Sequence, residues 1–533
     1  MTDAADFLDR HVAEAAPLAT AYHERYWASA LSGRPEDAAR SAEAKARLLE
    51  IYSRADDLAR VRSLRAAGNA DPQVSRQLTL LELEYAGRQI DPAVLADLAA
   101  REEAIEQSFN SFRATLDGEA VNDNALRRIL KEENDPEARR RTWEAAKQIG
   151  REVAPSVVAL IELRNREARR LGHRDHYTMA LAQQELDEAT LFSLLGRLKE
   201  LTEAPFRRIK ADIDATLARR YGLAEWNSRP WLYADPFFQE SPPGSTAVDL
   251  DQVFAGQDVE ALARRTFDGV GLPIDTLLPR ADLYEREGKS QHAFCIHVDR
   301  GGDVRVLCNV RPNEYWMSTT LHEFGHAVYD AGLDFDLPWA LRAPAHTMTT
   351  EAVAMLFGRL TRNADWLSRV AGVPAAEATR LAAEIRKSLT IGQLIFARWG
   401  LLMVHFEREL YRDPRQDLNA LWWRMARDFQ GVEPPPGRNE PDWASKIHLA
   451  CAPVYYQNYL LGEMTASQLE SAVLSAVGNG RPAATFVDSP AAGAFLTERL
   501  FRPGASRDWN DTMRHATGTP LDPEHWIRQF VAN

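Results

Sequence analysis

Cysteine is scarce in this sequence, with three residues in 533: Cys295, Cys308 and Cys451. So few thiols argue against a disulfide framework and favour a reducing compartment. Long apolar runs are missing as well, because no stretch approaches the roughly 18 consecutive apolar residues expected of a membrane-spanning helix. The first six residues also lack the positive and apolar regions of a secretory signal. We therefore expect a cytoplasmic protein that has no membrane partner.

Positively charged residues are also fewer than negatively charged ones. The net charge is −13, and no basic run is interleaved with aromatic residues. A field of this sign repels nucleic acid, so we expect no nucleic-acid partner. The remaining composition, 45% hydrophobic and 26% charged, is that of an ordinary globular protein.

Helical periodicity dominates the first part of the chain. Segments such as Arg40–Arg65 and Pro136–Leu171 repeat apolar residues at intervals of three and four. The composition then changes at Asn227–Pro243, which is rich in Trp, Pro, Phe and Gly. This change predicts a first helical lobe at residues 1–226 and a second lobe at residues 227–533.

One segment has a clear β pattern. Two alternating runs, His292–Val298 and Val304–Val310, flank the turn Arg300–Asp303 and predict a hairpin. Helical patterns return after it. The predicted fold class is therefore mainly α, with a small β-hairpin beside the next helix.

That next helix carries the most informative motif, His322-Glu323-Phe324-Gly325-His326. Residues four apart lie on one helix face, so both imidazoles can point at a single metal ion. Glu323 follows the first histidine, where its carboxylate can reach a metal-bound water instead of the metal. A chance match arises in roughly a few per cent of such chains, so the surrounding residues must decide.

Zinc hydrolases need a third protein ligand and an open position for water. Glu351 is the best candidate, because it begins a helical run, and Pro338 and Pro344 allow the chain to turn back before it. The alternative is an ordinary first-turn glutamate that the helix dipole favours. With Glu351 as third ligand, the chain would hold one Zn²⁺.

A later segment offers hydrogen-bond donors for a developing oxyanion. It contains Lys446, His448 and, further along, Tyr456 and Tyr459, which are three residues apart and share one face of a helix. The alternative is that these tyrosines only stabilise a contact between helices.

At this point the sequence resembles the angiotensin-converting enzyme family of zinc peptidases. The resemblance lies in Leu321–Phe357, in Phe429–His448 with its Pro434-Pro435 pair, and in Lys289–Ala293. The related thimet oligopeptidase and oligoendopeptidase F family shares the architecture, and Pro453–Gly462 is closer to that family.

The resemblance implies a large, two-lobed helical body with a deep central cleft that admits short peptides, the second lobe being catalytic. It assigns zinc to His322, His326 and Glu351, and the role of general base and acid to Glu323. It further implies that His448 holds the substrate backbone and that Tyr459 is the oxyanion donor. The implied substrate contacts are Lys446 or Tyr456, with Gln239, at the C-terminal carboxylate, and His292 with Ala293 at the backbone.

Three positions depart from the family pattern. Asn458 stands where the family has an arginine, which argues against dependence on chloride. Met355 stands where the family has an aspartate that supports a zinc ligand, so another group must support that histidine. The tyrosine pair is one residue out of the family spacing, so Tyr455 or Tyr456 could take the inner position.

We therefore expect zinc-dependent hydrolysis of short peptides by glutamate-assisted attack of a zinc-bound water, in the mode of a peptidyl-dipeptidase. Two alternatives stay open: an oligoendopeptidase that cuts inside short peptides, and a non-catalytic peptide-binding scaffold. The sequence does not predict the oligomeric state.

Overall fold

The computed structural model describes residues 3–242, 248–481 and 483–531, and 69% of the chain is helical. The mainly α class is therefore confirmed. The first helices are α1 (Asp3–Ser32), α2 (Pro35–Tyr52), α3 (Ala55–Ala67), α4 (Pro72–Gly87), α5 (Pro92–Ser111), α6 (Asp123–Glu132), α7 (Pro136–Arg170), α8 (His176–Gln183), α9 (Glu188–Arg220), α10 (Asp251–Phe254) and α11 (Val259–Gly269). They are followed by α12 (Glu314–Ala331), α13 (Thr347–Gly358), α14 (Ala364–Arg369), α15 (Ala375–Arg412), α16 (Leu418–Met425), α17 (His448–Cys451), α18 (Tyr456–Val477), α19 (Pro490–Leu496), α20 (Trp509–Thr517) and α21 (Glu524–Phe530).

Local sequence explains where these helices begin. The side chain of Asp135 accepts hydrogen bonds from the N–H groups of Glu137 and Ala138, and Pro136 occupies the first turn of α7. Asn313 caps α12 in the same way by accepting from the N–H of Trp316. The segment Arg40–Arg65, which repeats apolar residues at helical spacing, is divided between α2 and α3 at Arg54, whose backbone angles are extended.

The strands of the described residues form two antiparallel hairpins. Strands β3 (Phe294–His297) and β4 (Val304–Leu307) form the predicted hairpin, and both contact α12. Strands β1 (Ala114–Leu116) and β2 (Glu119–Val121) form a second hairpin that the sequence reading missed. The turn between β1 and β2 is Asp117-Gly118, with positive φ at both residues, and this dipeptide is a strong hairpin signal.

The chain divides into two compact units, each built from three segments. The first unit contains Met1–Gln89, Asp249–Ala383 and Leu461–Trp526, and the second contains Ile90–Val248, Glu384–Leu460 and Ile527–Asn533. Two of the boundaries fall inside α15 and α18. These units are discontinuous in sequence, whereas the predicted lobes at 1–226 and 227–533 are consecutive, and the lobes stay a prediction.

In the first unit, close packing of α12 against α13 decides the position of the metal motif. Gly325 makes this packing possible, because a Cβ atom there would lie 2.8 Å from Cα of Ala354. A second close approach occurs at Gly358, where a Cβ would lie 3.4 Å from Cβ of His322. The two helices are thus in near-backbone contact at the level of the motif.

In the second unit, the buried side chain of Arg139 on α7 organises the loop-rich stretch after residue 227. Its guanidinium donates to the carbonyl groups of Leu130 at 2.6 Å, Glu133 at 2.9 Å, Trp231 at 2.9 Å and Tyr233 at 2.8 Å. One cation therefore satisfies four backbone acceptors, and two of them belong to the loop-rich stretch.

Candidate metal centre and active site

The first unit brings three predicted metal ligands together. Nε2 of His322 lies 3.6 Å from Oε2 of Glu351, and Nε2 of His326 lies 3.9 Å from the same oxygen. One ligand atom from each residue lies within 4.8 Å of the other two. Ligand atoms around a tetrahedral zinc ion are about 3.4 Å apart, given bonds of about 2.0–2.1 Å. The group therefore fits one zinc ion after small side-chain movements.

A threonine hydroxyl orients one of the two histidines. Oγ1 of Thr350 lies 2.7 Å from Nδ1 of His326, which leaves Nε2 to face Glu351. Thr350, which sequence reasoning did not find, is thus a candidate supporting group for His326, although position 355 is Met. The position of Thr350 directly before Glu351 does not predict its contact with His326, because that contact depends on how α13 is rotated against α12.

Both histidines are in the protonation state that a metal requires. Burial lowers the pKa of His322 to about 4 and that of His326 to about 3. The imidazoles are therefore neutral near pH 7, and their lone pairs are available to an ion.

Glu323 lies on the buried side of the same helix and is 7% exposed. Burial raises the pKa of Glu323 to about 8, and the charge of Glu351 acts in the same direction. A divalent ion beside it would lower this pKa. The hairpin that precedes the motif contacts α12, the helix that carries the candidate base.

A cavity of about 630 Å³ opens beside the three ligands within the first unit. Ala293, which was predicted to contact the substrate backbone, lines it together with Glu323 and the three candidate ligand side chains. His292, the other predicted backbone contact, is exposed. The cavity wall also includes His23, Arg300, Asp330 and Arg342, none of which the sequence reading singled out.

The second unit gathers the remaining predicted residues around Lys446. Its Nζ donates to Oε1 of Gln239 at 2.8 Å and lies over the rings of Trp399, Phe237 and Tyr456 at 5.2–5.8 Å from their centroids. Burial lowers the pKa of Lys446 to about 8. These contacts hold the Lys446 cation, which forms no direct ion pair with an acidic side chain among the described residues.

Tyrosine and histidine side chains continue this group. The hydroxyl of Tyr456 accepts from Nε1 of Trp399 at 3.0 Å, and its ring lies 5.3 Å from that of His448 and 5.4 Å from that of Tyr459. Tyr456 is 5% exposed and contacts Lys446, so it occupies the inner position that the sequence left open with Tyr455. Burial lowers the pKa of His448 to about 4, so this ring is neutral.

Comparison with known proteins identifies the family. The family model described as angiotensin-converting enzyme, peptidase family M2, matches residues 1–235 and 287–528. The chain belongs to the angiotensin-converting enzyme family. The resemblance seen in the sequence motifs is thereby confirmed, and membership supports a metallopeptidase that acts on peptides.

Individual members of the angiotensin-converting enzyme family are distant from this chain. An angiotensin-converting enzyme from Theromyzon tessulatum is 26% identical over 43% of this chain and 38% of its own length. The enzyme from Bos taurus is 23% identical over 70% of this chain and 30% of its own length. An angiotensin-converting enzyme-like protein, Ace3, from Mus musculus is 22% identical over 78% of this chain and 60% of its own length. The chain thus spans about a third of the length of the first two relatives.

The predicted cytoplasmic location is wrong. Mammalian angiotensin-converting enzyme relatives, such as those from Bos taurus and Mus musculus, are membrane-anchored or secreted. Within the described residues, α15 is also long and apolar enough to cross a membrane by length and composition, although 67% of its most apolar window is buried in the protein. Polar residues interrupt the apolar sequence of α15, so the sequence contains no long uninterrupted apolar run there.

Proposed function

We propose that this protein hydrolyses short peptides with the help of zinc and acts as a peptidyl-dipeptidase. The observation that carries the proposal is the group of His322, His326 and Glu351, which lies with buried Glu323 at the wall of one cavity. Family membership supports the peptidase class.

His322, His326 and Glu351 would hold the zinc ion, with Thr350 keeping the ring of His326 in the orientation that ligation needs. When bound, zinc polarises a carbonyl oxygen and lowers the pKa of a coordinated water from 15.7 to about 7. The neutral imidazoles and the single carboxylate leave a net positive charge at such an ion, which suits hydrolysis.

Glu323 would act as general base and then as general acid. It accepts a proton from the attacking water and passes that proton to the amine that leaves. Glu323 lines the same cavity as the three candidate ligands, so its carboxylate can reach a water molecule beside them.

His448 and Tyr459 would supply hydrogen bonds to the peptide. Nδ1 of His448 is buried and has no hydrogen-bond partner among the described residues, and the ring is neutral, so it can donate to a substrate carbonyl. The hydroxyl of Tyr459 would donate to the developing oxyanion. These roles are carried over from the family motif, which Lys446–Tyr459 resembles.

The choice of a peptidyl-dipeptidase over an oligoendopeptidase depends on Lys446 and Gln239. A cation and an amide in contact at 2.8 Å, surrounded by aromatic rings, form a suitable receptor for the free C-terminal carboxylate of a peptide. We propose that this pair, with Tyr456, binds the carboxylate. An enzyme that binds this end would release a dipeptide at each turnover.

The test is mass spectrometry of the products from one defined set of peptides, each in a free and a C-terminally amidated form. We expect dipeptides to accumulate from the free peptides and the amidated forms to be poor substrates. Equal cleavage of both forms would favour the oligoendopeptidase. Binding of peptides without turnover by protein that contains one zinc per chain would favour the non-catalytic scaffold.

A further inference from the structure

Asp330 lies one helical turn beyond the metal ligands on the same face of α12. His322, His326 and Asp330 follow one another at intervals of four residues, and Asp330 lines the cavity that the ligands also line. A rise of 1.5 Å per residue places Asp330 about 6 Å along the axis from His326 and about 12 Å from His322. Because an extended peptide advances about 3.3–3.6 Å per residue, the midpoint of the two histidines, about 9 Å from Asp330 along the axis, corresponds to roughly two to three residues of substrate.

The carboxylate of Asp330 has no close counter-charge in the protein. Across the residues that the structure describes, it forms neither a hydrogen bond nor an ion pair within 4 Å. Burial raises the pKa of Asp330 to about 7, although the charge of Arg300 lowers it. Asp330 is part-exposed at the cavity wall and forms no ion pair with the described residues there, so an ammonium group that enters the cavity can reach its carboxylate.

Two guanidinium groups line the same cavity, but each has another partner. Nη1 of Arg300 donates to the carbonyl of Trp339 at 3.5 Å, and the guanidinium lies 4.4 Å from the centroid of that indole ring. Nε of Arg342 donates to the carbonyl of Leu337 at 2.7 Å. These contacts hold both arginines to the segment around residue 339, so neither neutralises Asp330 directly.

An extended strand forms one part of the cavity wall. Five consecutive residues, 293–297, line it, and four of them form β3. A peptide that lies along such a strand is extended, and its residues are spaced regularly from the metal centre. The distance between the ligands and Asp330 can therefore be read as a number of substrate residues.

We propose that Asp330 binds an ammonium group of the substrate, namely the α-ammonium of a peptide whose N-terminal residue lies two or three positions before the cleaved bond. This inference rests on the proposed peptidase function and adds a substrate class to it: very short peptides with a free N-terminus. The same ammonium chemistry occurs in a lysine side chain, which the experiment separates from the N-terminus.

The experiment compares three tetrapeptides that share a free carboxyl end and otherwise uncharged side chains. One has a free N-terminal amine, one is N-acetylated, and one is N-acetylated with lysine as its first residue. Asp330→Asn removes the charge without changing the shape, and Asp336→Asn is the matched control because Asp336 is exposed.

We expect the wild-type protein and Asp336→Asn to cleave the free-amine peptide with a kcat/KM about tenfold above that of the acetylated peptide. Asp330→Asn should reduce this ratio to about one while it cleaves the acetylated peptide normally. A tenfold gain for the lysine peptide would show that a side-chain ammonium is bound as well, and no gain would assign the site to the α-ammonium alone. A ratio near one in the wild-type protein, or an unchanged ratio in Asp330→Asn, would overturn the inference.

Cleavage of the acetylated peptide tests the proposed function separately, because that peptide has no ammonium group. If no peptide is cleaved, the proposed function fails. The ratio of dissociation constants for the free and acetylated peptides, measured by calorimetry on the zinc-loaded protein, then decides the inference about Asp330.

Discussion

The two groups of candidate site residues are held in place by different means. In the first unit, the metal ligands are set by two helices in near-backbone contact at Gly325 and by one hydroxyl, that of Thr350. In the second unit, Lys446 is held by one amide, that of Gln239, and by aromatic rings. The metal group depends on helix geometry, whereas the Lys446 group depends on side chains from distant parts of the chain. We expect substitutions in the first group to affect catalysis and metal retention, and substitutions in the second to affect recognition of the peptide end.

The largest effect is expected for Glu323→Gln. This substitution removes the proton acceptor but keeps the size of the side chain, so kcat should fall by about 10³-fold, within the range for general base catalysis. Zinc content, measured by atomic absorption, should stay at one per chain. Turnover close to that of the wild-type protein would show that another group takes the proton.

Thr350→Val should weaken zinc binding by about 10- to 100-fold, because Nδ1 of His326 loses its partner. The measurement is zinc affinity by competition with a chelator. Thr347→Val is the matched control, since Thr347 is exposed in the first turn of the same helix. If both variants bind zinc equally, the hydroxyl of Thr350 does not support the ligand.

Gly325→Ala should destabilise the protein by about 1–3 kcal/mol, because the added methyl group would meet the backbone of Ala354 at 2.8 Å. The free energy of unfolding can be measured with a chemical denaturant. Gly196→Ala in α9 is the control: a Cβ atom there has no neighbour within 4 Å. That variant should be neutral or slightly more stable, by up to about 1 kcal/mol, because alanine favours helix.

Lys446→Met should raise KM for peptides with a free carboxyl end about tenfold and leave kcat and the amidated peptides unaffected. A pH series sharpens this prediction. Because the pKa of Lys446 is lowered to about 8, the side chain is charged below that pH and loses its charge above it. KM for free peptides should therefore rise as pH increases through about 8, and this rise should be absent in Lys446→Met.

The smallest effect is expected for chloride. Asn458, which stands where the family has an arginine, donates from Nδ2 to Oε1 of Gln184 at 2.9 Å and brings no charge. Peptide turnover at constant ionic strength should be the same in chloride and in acetate. A marked activation by chloride would point to another cation in the second unit.

Much of the metal group could be predicted from the sequence, because four-residue spacing on one helix fixes which side chains share a face. His322 and His326 follow from that periodicity, and Glu351 follows from the chain turning back after Pro338 and Pro344. The hairpin at residues 294–307 could also be predicted, because its two strands and its turn are close together in the sequence. Thr350 and Asp330 were missed, because their environment depends on how one helix is rotated against another and on what lines the cavity.

The Lys446 group could not be derived from local pattern. Gln239 and Lys446 are 207 positions apart, and only the resemblance to a family suggested the pair. The choice between Tyr455 and Tyr456 depended on the packing of Trp399 and His448, which no spacing predicts. The polar residues within α15 likewise interrupt its apolar sequence. The apolar character of this largely buried helix was therefore not evident from the sequence.

The contact at Gly325 also has a consequence for local stability. Since the two histidines and Glu351 lie on helices that touch there, separation of α12 from α13 would pull the candidate ligand group apart. A bound metal ion would therefore be thermodynamically linked to the closed pair of helices and should suppress local opening of this region. The amide groups of α12 and α13 should accordingly exchange their hydrogens more slowly with zinc than without it.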